Sequence, residues 1–545
     1  MGHLAACLLV ARRPTGPRPR DITLGPMHLL PAPKSIVASG GRPFVLDVDL
    51  AINGSPEHAA IIRRLLSPGT GLDLPVSADG RLIIVDDPAL TPEAYRLEVT
   101  ADRIMITASG PAGVNWAGQT LRQLLPPSAL RPAPDGRPLS VPAVMITDEP
   151  RFGWRGIHLD VARHFMPLPQ LFQLVDLLAL HKFNRLHLHL TDDQGWRFES
   201  RSHPRLHEVG GWRTETRRPA DDHGDGTPHG GYYTQDQLRS LVGYAGQRGV
   251  LIVPELDLPG HVSAVLVAYP ELGNHPDSDH STATTFGIFD SVLNVSDATM
   301  AFVFDVYAEL LEVFDSPYIH IGGDECPRTE WLASSDAQQL ARQRGLTGPD
   351  QLQHWFTAQL RTWLTERGRI MVGWDEICDD GPVPGAIVMA WRDARYGVAA
   401  AHAGHQVIQA PTSHTYFDYY PGDGEDEPYA IGGLVTTRQV YGFDPLAGVE
   451  PAARHQVIGV QGQVWTEYLP SFRRVEYVLF PRACALSEIG WSNDDDRSWE
   501  EFEPRLTEHL SRLDALGVNY RPEAGPLPWQ RGGSGVLRRL RAPKA

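Results

Sequence analysis

The sequence predicts an α/β protein whose largest part is a (β/α)8 (TIM) barrel, preceded by a smaller α+β domain. From residue 153 onward, strand, polar loop and amphipathic helix alternate. The helices repeat apolar residues at i, i+3, i+4 and i+7, for example at positions 171, 174, 175 and 178. The first strand is not followed by a GxGxxG turn, which disfavours a doubly wound open sheet. Eight strands are predicted, at 155–161, 185–190, 250–256, 318–321, 370–374, 386–391, 406–410 and 457–461.

The region before the barrel alternates strand and helix signals without that repeat. We predict strands at 43–52 and 81–85, a hairpin at 95–107, and helices at 58–66 and 114–125. A proline-rich stretch at 125–138 marks a boundary or a long surface loop. The predicted organisation is a disordered extension (1–26), an accessory α+β domain (27–150), the barrel (151–500), and a C-terminal helix and tail (501–545).

Composition excludes some classes of function. The chain has 545 residues and a formal net charge of −17, which argues against a nucleic-acid surface because phosphate binding requires clustered lysine and arginine. The four cysteines are scattered, without the spacing of a disulfide framework or a zinc knuckle. The apolar run at 4–10 is too short to span a membrane, and its arginines follow it rather than precede it. We therefore expect a cytoplasmic protein without a membrane segment.

The most informative stretch is HIGGDE at 320–325, a short apolar strand that breaks at two glycines and then presents two adjacent carboxylates. Glycine permits backbone angles that other residues avoid and lets a ligand approach the main chain. Adjacent acids disfavour joint ionisation. The pair therefore suits a catalytic site that needs one carboxyl protonated and one ionised, although two solvated acids at a strand exit would look the same.

The other predicted strands also end in polar or aromatic residues. Indole faces pack on the C–H faces of sugar rings, and carboxylates and arginine bind hydroxyls. The strand ends therefore predict a pyranose pocket with carboxylate chemistry. The residues at these ends are Arg163 and His164; Asp192, Asp193 and Trp196; Glu255, Asp257 and His261; Asp324 and Glu325; Trp374, Asp375 and Glu376; Trp391 and Arg392; Tyr416 and Asp418; and Trp465 and Glu467.

His187 and His189 allow a second interpretation. An HxH pair on a barrel strand can hold a divalent metal, and Asp192 could complete the set in a metal-dependent hydrolase. Both histidines lie inside the strand rather than at its mouth, however, so interior packing or support of the site is the commoner use of such a pair.

Seven motifs in order resemble those of family 20 glycoside hydrolases, the β-N-acetylhexosaminidases. The resemblance covers about residues 28–492 and includes LLPAPKSI at 29–36, which is typical of the accessory domain of that family. The motifs are DVARHF, HLHLTDDQGW, PELDLPGH, HIGGDE, GWDE, TYFD and VWTE.

The resemblance implies an exo-acting enzyme that removes terminal β-linked N-acetylglucosamine or N-acetylgalactosamine with retention, using the 2-acetamido oxygen of the substrate as nucleophile. Glu325 resembles the general acid, Asp324 the carboxylate that stabilises the oxazolinium, and Tyr416 the donor to the acetamido oxygen. The remaining matched residues resemble substrate-binding or supporting groups: Arg163, Asp418 and Glu467 at the ring hydroxyls, Trp374, Trp391 and Trp465 around the sugar, and Asp192 with His261 behind the acid.

On this interpretation the partner is a small glycoside or oligosaccharide, and no cofactor or metal is needed. A non-catalytic amino-sugar-binding protein of the same fold is a further alternative. Such a protein would be expected to have lost an acid or the tyrosine, and Asp324, Glu325 and Tyr416 are all present.

Overall fold

The computed structural model describes residues 27–218, 221, 223–493 and 497–531. The predicted extension at 1–26 and the end of the predicted tail, from 532, lie outside these residues. Two architectural units are present: a mixed sheet with two helices, and a closed barrel. No helix within the described residues combines the length and apolarity that a membrane crossing needs.

The first unit is a six-stranded sheet covered by the helices Pro56–Thr70 and Pro111–Leu124. Ser55 caps the first helix by accepting from the backbone N–H of His58. In sheet order, the strands are Ser35–Ala38, Val144–Asp148, Tyr95–Val99, Ile104–Ala108, Leu82–Asp86 and Ile52–Asn53.

The single strand predicted at 43–52 is wrong. The structure has two short strands, Phe44–Leu46 and Ile52–Asn53, and the first pairs with Leu139–Val141 outside the main sheet. A turn separates them, closed by the backbone bond from Leu50 N–H to Asp47 C=O. The apolar residues on both sides of this turn made the segment look continuous.

The second unit is a barrel of eight parallel strands, which confirms the predicted fold class. The barrel closes where the last strand pairs with the first, Gly459 opposite Trp154. Its strands are Trp154–Asp160, Arg185–His189, Leu251–Glu255, Tyr318–His320, Ile370–Trp374, Ile387–Ala390, Gln406–Gln409 and Val457–Gly462. They are numbered one to eight below.

Helices surround the barrel and bury their apolar faces against it. The helix after the second strand begins with a capping box, in which Thr234 and Gln237 each satisfy the backbone N–H of the other. The longer helices are Leu168–Leu180, Gln235–Gly246, Asp297–Val313, Ser335–Gln343, Leu352–Glu366, Ala394–His402, Phe472–Leu479, Arg482–Trp491 and Trp499–Leu516. The C-terminal ends of the strands thus converge on one face, where the predicted site residues lie.

Candidate active site

The fourth strand ends abruptly at two glycines. Gly322 and Gly323 have φ of 70° and 93°, in the left-handed region that disfavours side chains. A Cβ on Gly322 would lie 1.7 Å from Oδ1 of Asp257. Regular strand geometry would point adjacent side chains to opposite faces. Because the strand has broken here, Asp324 and Glu325 both line the same pocket.

That pocket has a volume of about 400 Å³ and lies at the C-terminal ends of the barrel strands. Two tryptophans in its wall, Trp374 and Trp465, are buried, and Trp391 is half-buried. The ring of Trp391 lies nearly parallel to that of Tyr416, with 6.0 Å between centroids. Nine residues predicted from the sequence line the pocket: Arg163, Asp324, Glu325, Trp374, Trp391, Tyr416, Asp418, Trp465 and Glu467.

Asp192 and His261 lie behind the pocket wall rather than among its lining residues. His261 contacts Asp192, as predicted, and also the neighbouring Asp193. His261 Nδ1 is 2.9 Å from Asp193 Oδ2 and 3.4 Å from Asp192 Oδ1. Asp192 is also bound by Arg163, at 2.7 Å, and by His189, at 2.9 Å. Asp193 is therefore the closer partner of the histidine.

His261 links this carboxylate pair to the acids of the pocket. Its Nε2 is 3.6 Å from Glu325 Oε2 and 4.0 Å from Asp324 Oδ2. Burial opposes a charge on His261, but Asp192 and Asp193 outweigh it and raise the pKa of the imidazole well above its ordinary value. The site therefore places a positive charge directly behind Glu325.

Asp324 is a strongly perturbed carboxyl of the pocket. It is buried, and its Oδ1 has no hydrogen-bond partner among the described residues. Burial, and then the charge of Asp257, raise the pKa of Asp324 well above its ordinary value. Burial and Asp324 likewise raise the pKa of Glu376, to about 8, although the indole N–H of Trp391 donates to it at 2.8 Å. The pocket therefore disfavours further negative charge, and a ligand with positive character would relieve this.

Arg163, another residue of the pocket wall, is held in place by its neighbours. Its Nε donates to Gln194 Oε1 at 2.9 Å, and its guanidinium lies over the ring of Trp465, 5.0 Å from the centroid. Glu467 is 4.0 Å away. Asp418 also lines the pocket; it is 5% exposed, and its Oδ1 has no hydrogen-bond partner among the described residues. These fixed polar atoms suit the hydroxyls of a ring.

The histidines of the HxH pair surround a buried carboxylate. Glu255 Oε2 lies 3.0 Å from His187 Nε2 and also contacts His189 Nδ1. Glu255 Oε1 accepts from the indole N–H of Trp374 at 2.9 Å and lies 2.8 Å from His320 Nδ1. His187 with His158 and Glu255, and His189 with Glu255 and Asp257, are each close enough together to hold an ion, but no such group among the described residues joins His187, His189 and Asp192. However, both ring nitrogens of His189 are already bonded, to Glu255 and to Asp192, and Nδ1 of His187 contacts Gln461, so the geometry is that of a packed polar interior.

Comparison with known proteins identifies the family. A model described as "Glycosyl hydrolase family 20, catalytic domain" matches residues 152–494, and one described as "Glycosyl hydrolase family 20, domain 2" matches residues 27–149. The chain belongs to glycosyl hydrolase family 20. It is therefore a glycoside hydrolase, and the resemblance stated from the motifs is confirmed.

Relatives of this family 20 enzyme extend over nearly the whole chain. A beta-hexosaminidase of Porphyromonas gingivalis is 37% identical over 93% of this chain and 66% of its own length. A beta-N-acetylhexosaminidase of Cellulomonas fimi is 34% identical over 90% of this chain and 95% of its own.

Solved structures agree with the assignment to this family. An exo beta-N-acetylglucosaminidase of Vibrio harveyi, in complex with N-acetylglucosamine, superposes with a TM-score of 0.81 at 32% identity, covering 91% of this chain and 78% of that one. A mutant beta-hexosaminidase of Streptomyces plicatus, in complex with product (GlcNAc), has a TM-score of 0.79 at 31% identity, covering 92% of this chain and 97% of that one.

The family 20 pocket also contains residues that sequence reasoning missed. Phe286 and Ile288 reach it from the loop between the third and fourth strands, and Ile431 from the loop after the seventh. Neither loop carries a periodic signal. The sequence predicts Glu255 and Asp257 as strand-end acids but does not reveal their contacts. Glu255 accepts from the indole N–H of Trp374, and Asp257 accepts from the backbone N–H of Gly323.

Proposed function

We propose that the chain is an exo-acting β-N-acetylhexosaminidase that cleaves terminal, non-reducing β-linked GlcNAc or GalNAc by substrate-assisted catalysis. The observation that carries the proposal is the adjacent pair Asp324–Glu325, turned into one tryptophan-walled pocket by the break at the two glycines. The names of the relatives, and the N-acetylglucosamine complexes of the similar structures, support this substrate class.

In this proposal Glu325 is the general acid and base. Its side chain is one-third exposed, so it can reach a leaving group that extends out of the pocket. It transfers its proton to the glycosidic oxygen as the bond from that oxygen to the anomeric carbon breaks. It then takes a proton from the water that opens the cyclic intermediate. The charged His261 behind it stabilises the carboxylate formed in between.

Asp324 and Tyr416 act on the acetamido group. The acetamido oxygen attacks the anomeric carbon and forms an oxazolinium ring that carries positive charge. Ionised Asp324 accepts the acetamido N–H and stabilises that charge, and the phenol of Tyr416 donates to the oxygen. Burial and the charge of Asp257 raise the pKa of Asp324, and the positive charge that develops on the ring opposes this shift and favours the ionised carboxylate.

The remaining residues hold the sugar. Arg163, Asp418 and Glu467 bind the ring hydroxyls, because the structure offers fixed polar atoms in this part of the pocket wall. Trp374, Trp391 and Trp465 pack against the ring and the acetyl methyl. The partner is therefore a sugar with a free non-reducing end, such as a chitooligosaccharide or a glycoconjugate terminus.

A panel of aryl β-glycosides tests the proposal. A matched pair that differs only in a 2-acetamido or a 2-hydroxyl group isolates the internal nucleophile. Well-oriented intramolecular groups reach large effective molarities, so kcat/KM for the 2-hydroxyl sugar should be at least about 1,000-fold lower. Comparable rates on the two sugars would contradict the mechanism, and no turnover of any aryl β-glycoside would contradict the function.

A further inference from the structure

A second cavity lies between the two structural units, and its chemistry differs from that of the catalytic pocket. Its volume is about 320 Å³, and it shares no lining residue with the catalytic pocket. The helices Pro56–Thr70 and Pro111–Leu124 of the first unit form one side, and the barrel helix Leu168–Leu180 contributes to the other. Any ligand bound here would therefore contact both units.

The cavity is strongly basic although the chain as a whole is acidic, with a net charge of −17. Among the described residues that line it, Asp176 is the only carboxylate. Asp176 already accepts from the hydroxyl of Tyr244 at 2.7 Å and from Nε of Arg248. The arginines at the cavity are Arg64, Arg122, Arg131 and Arg248.

Two of these arginines have unused donors. Nε of Arg64 and Nε of Arg122 are buried without a hydrogen-bond partner among the described residues. The contacts that the two side chains do make are neutral: Arg122 Nη1 donates to Gln119 Oε1 at 3.1 Å, and Arg64 Nη2 donates to the Gln247 carbonyl. Unpaired, desolvated guanidinium N–H groups are costly unless an acceptor reaches them.

The arginines also disfavour one another. Burial and the charge of Arg248 lower the pKa of Arg64. Burial lowers the pKa of Arg122 to about 10, and Arg248 contributes in the same direction. Asp176 opposes both shifts but is a single charge. An anion would neutralise this excess, and the planar fork of arginine matches the oxygens of a phosphate or sulfate.

We propose that this cavity binds a small tetrahedral oxyanion, of the phosphate or sulfate class, on the guanidinium groups of Arg64, Arg122 and Arg248. The anion is either the free ion or a phosphate or sulfate ester of a small molecule. By contacting both units at once, it fixes the accessory domain against the barrel. This inference does not depend on the proposed catalytic function.

Isothermal titration calorimetry with inorganic phosphate tests the proposal on the full-length protein. For three partly buried arginines we expect a dissociation constant on the order of 1 mM at low chloride. Arg122→Gln and Arg64→Gln should each weaken binding at least about tenfold, because each removes one charge-assisted contact. Arg239→Gln is the matched control, since the side chain of Arg239 is 38% exposed, pairs with Asp236 and lies outside the cavity.

Glycerol phosphate distinguishes the two sources of the ligand. If it binds more tightly than inorganic phosphate, the ligand is an ester; if it binds more weakly, the ligand is the free ion. The absence of saturable binding of phosphate, sulfate and glycerol phosphate would overturn the proposal. Equal phosphate affinity in the wild type, Arg64→Gln and Arg122→Gln would also overturn it, because the ion would then bind elsewhere.

Thermal stability gives a second test. If Arg122 were only structural, replacing it would destabilise the protein in chloride alone. In chloride alone, Arg122→Gln should be as stable as the wild type or more so, because it removes a charge whose burial is unfavourable. About 20 mM phosphate, at matched ionic strength, should lower the unfolding equilibrium constant of the wild type about 20-fold and that of Arg122→Gln much less. Hydrolysis of an aryl glycoside should be equal in both proteins. Equal stabilisation of the two by phosphate would contradict the assignment.

Discussion

The substitution Gly322→Ala tests whether the break in the fourth strand positions the catalytic acids. The new methyl would lie 1.7 Å from Asp257 Oδ1 and 2.7 Å from the Asp257 Cα. Because ordinary contacts begin at 3.4 Å, the two groups must separate by about 1.7 Å. That movement displaces Asp324 and Glu325 and strains the bond from Gly323 N–H to Asp257. Misplacing a reacting group by about 1 Å can cost about 100-fold, so kcat should fall at least that much.

Gly368→Ala is the matched control. Gly368 has the same φ, 70°, but a Cβ there would meet nothing within 4 Å. Both variants should lose about 1–2 kcal/mol of stability from the left-handed backbone angle, and only Gly322→Ala should lose activity. Steady-state kinetics on an aryl N-acetyl-β-glucosaminide, with thermal denaturation of each protein, makes the comparison. A Gly322→Ala enzyme with kcat within threefold of wild type would refute the reasoning.

Three further outcomes are expected. Glu325→Gln should abolish turnover of natural glycosides but spare aryl glycosides whose leaving groups need no proton; equal losses on both would contradict the acid assignment. Asp257→Asn keeps the oxygen that accepts from Gly323 but removes the charge that raises the pKa of Asp324. The required ionised Asp324 should then persist to lower pH, so the acidic limb of the kcat/KM profile should move to lower pH; a shift to higher pH would refute this. EDTA should leave activity unchanged, whereas inactivation that zinc restores would favour a metal on His187 and His189.

The barrel was predictable because its strands are buried on both faces and flanked by amphipathic helices. The fifth strand, Ile370–Trp374, is an apolar run of the expected length and ends at the tryptophan that lines the pocket. Parallel strands of a barrel deliver their C-terminal ends to one face. Residues far apart in sequence, such as Arg163 and Glu467, can therefore be assigned to one site from the order of the strands alone.

Other features depend on tertiary geometry that local sequence does not encode. Asp192 and Asp193 are adjacent, and only the side-chain directions in the fold decide which one lies closer to His261. Ile288 enters the pocket from a long loop without periodicity. The basic cavity likewise combines Arg64 and Arg122, on two helices of the first unit, with Arg248, in the turn after the barrel helix Gln235–Gly246, which no sequence spacing could reveal.

The central claim is that the nucleophile belongs to the substrate and not to the protein. It is tested most directly by incubating the enzyme with a 2-fluoro sugar and with a thiazoline mimic of the cyclised sugar. The account predicts no covalent glycosyl adduct by mass spectrometry and binding of the thiazoline much tighter than that of the product, because the thiazoline resembles the transition state. An adduct on Glu376 or Glu467, together with no inhibition by the thiazoline, would contradict it.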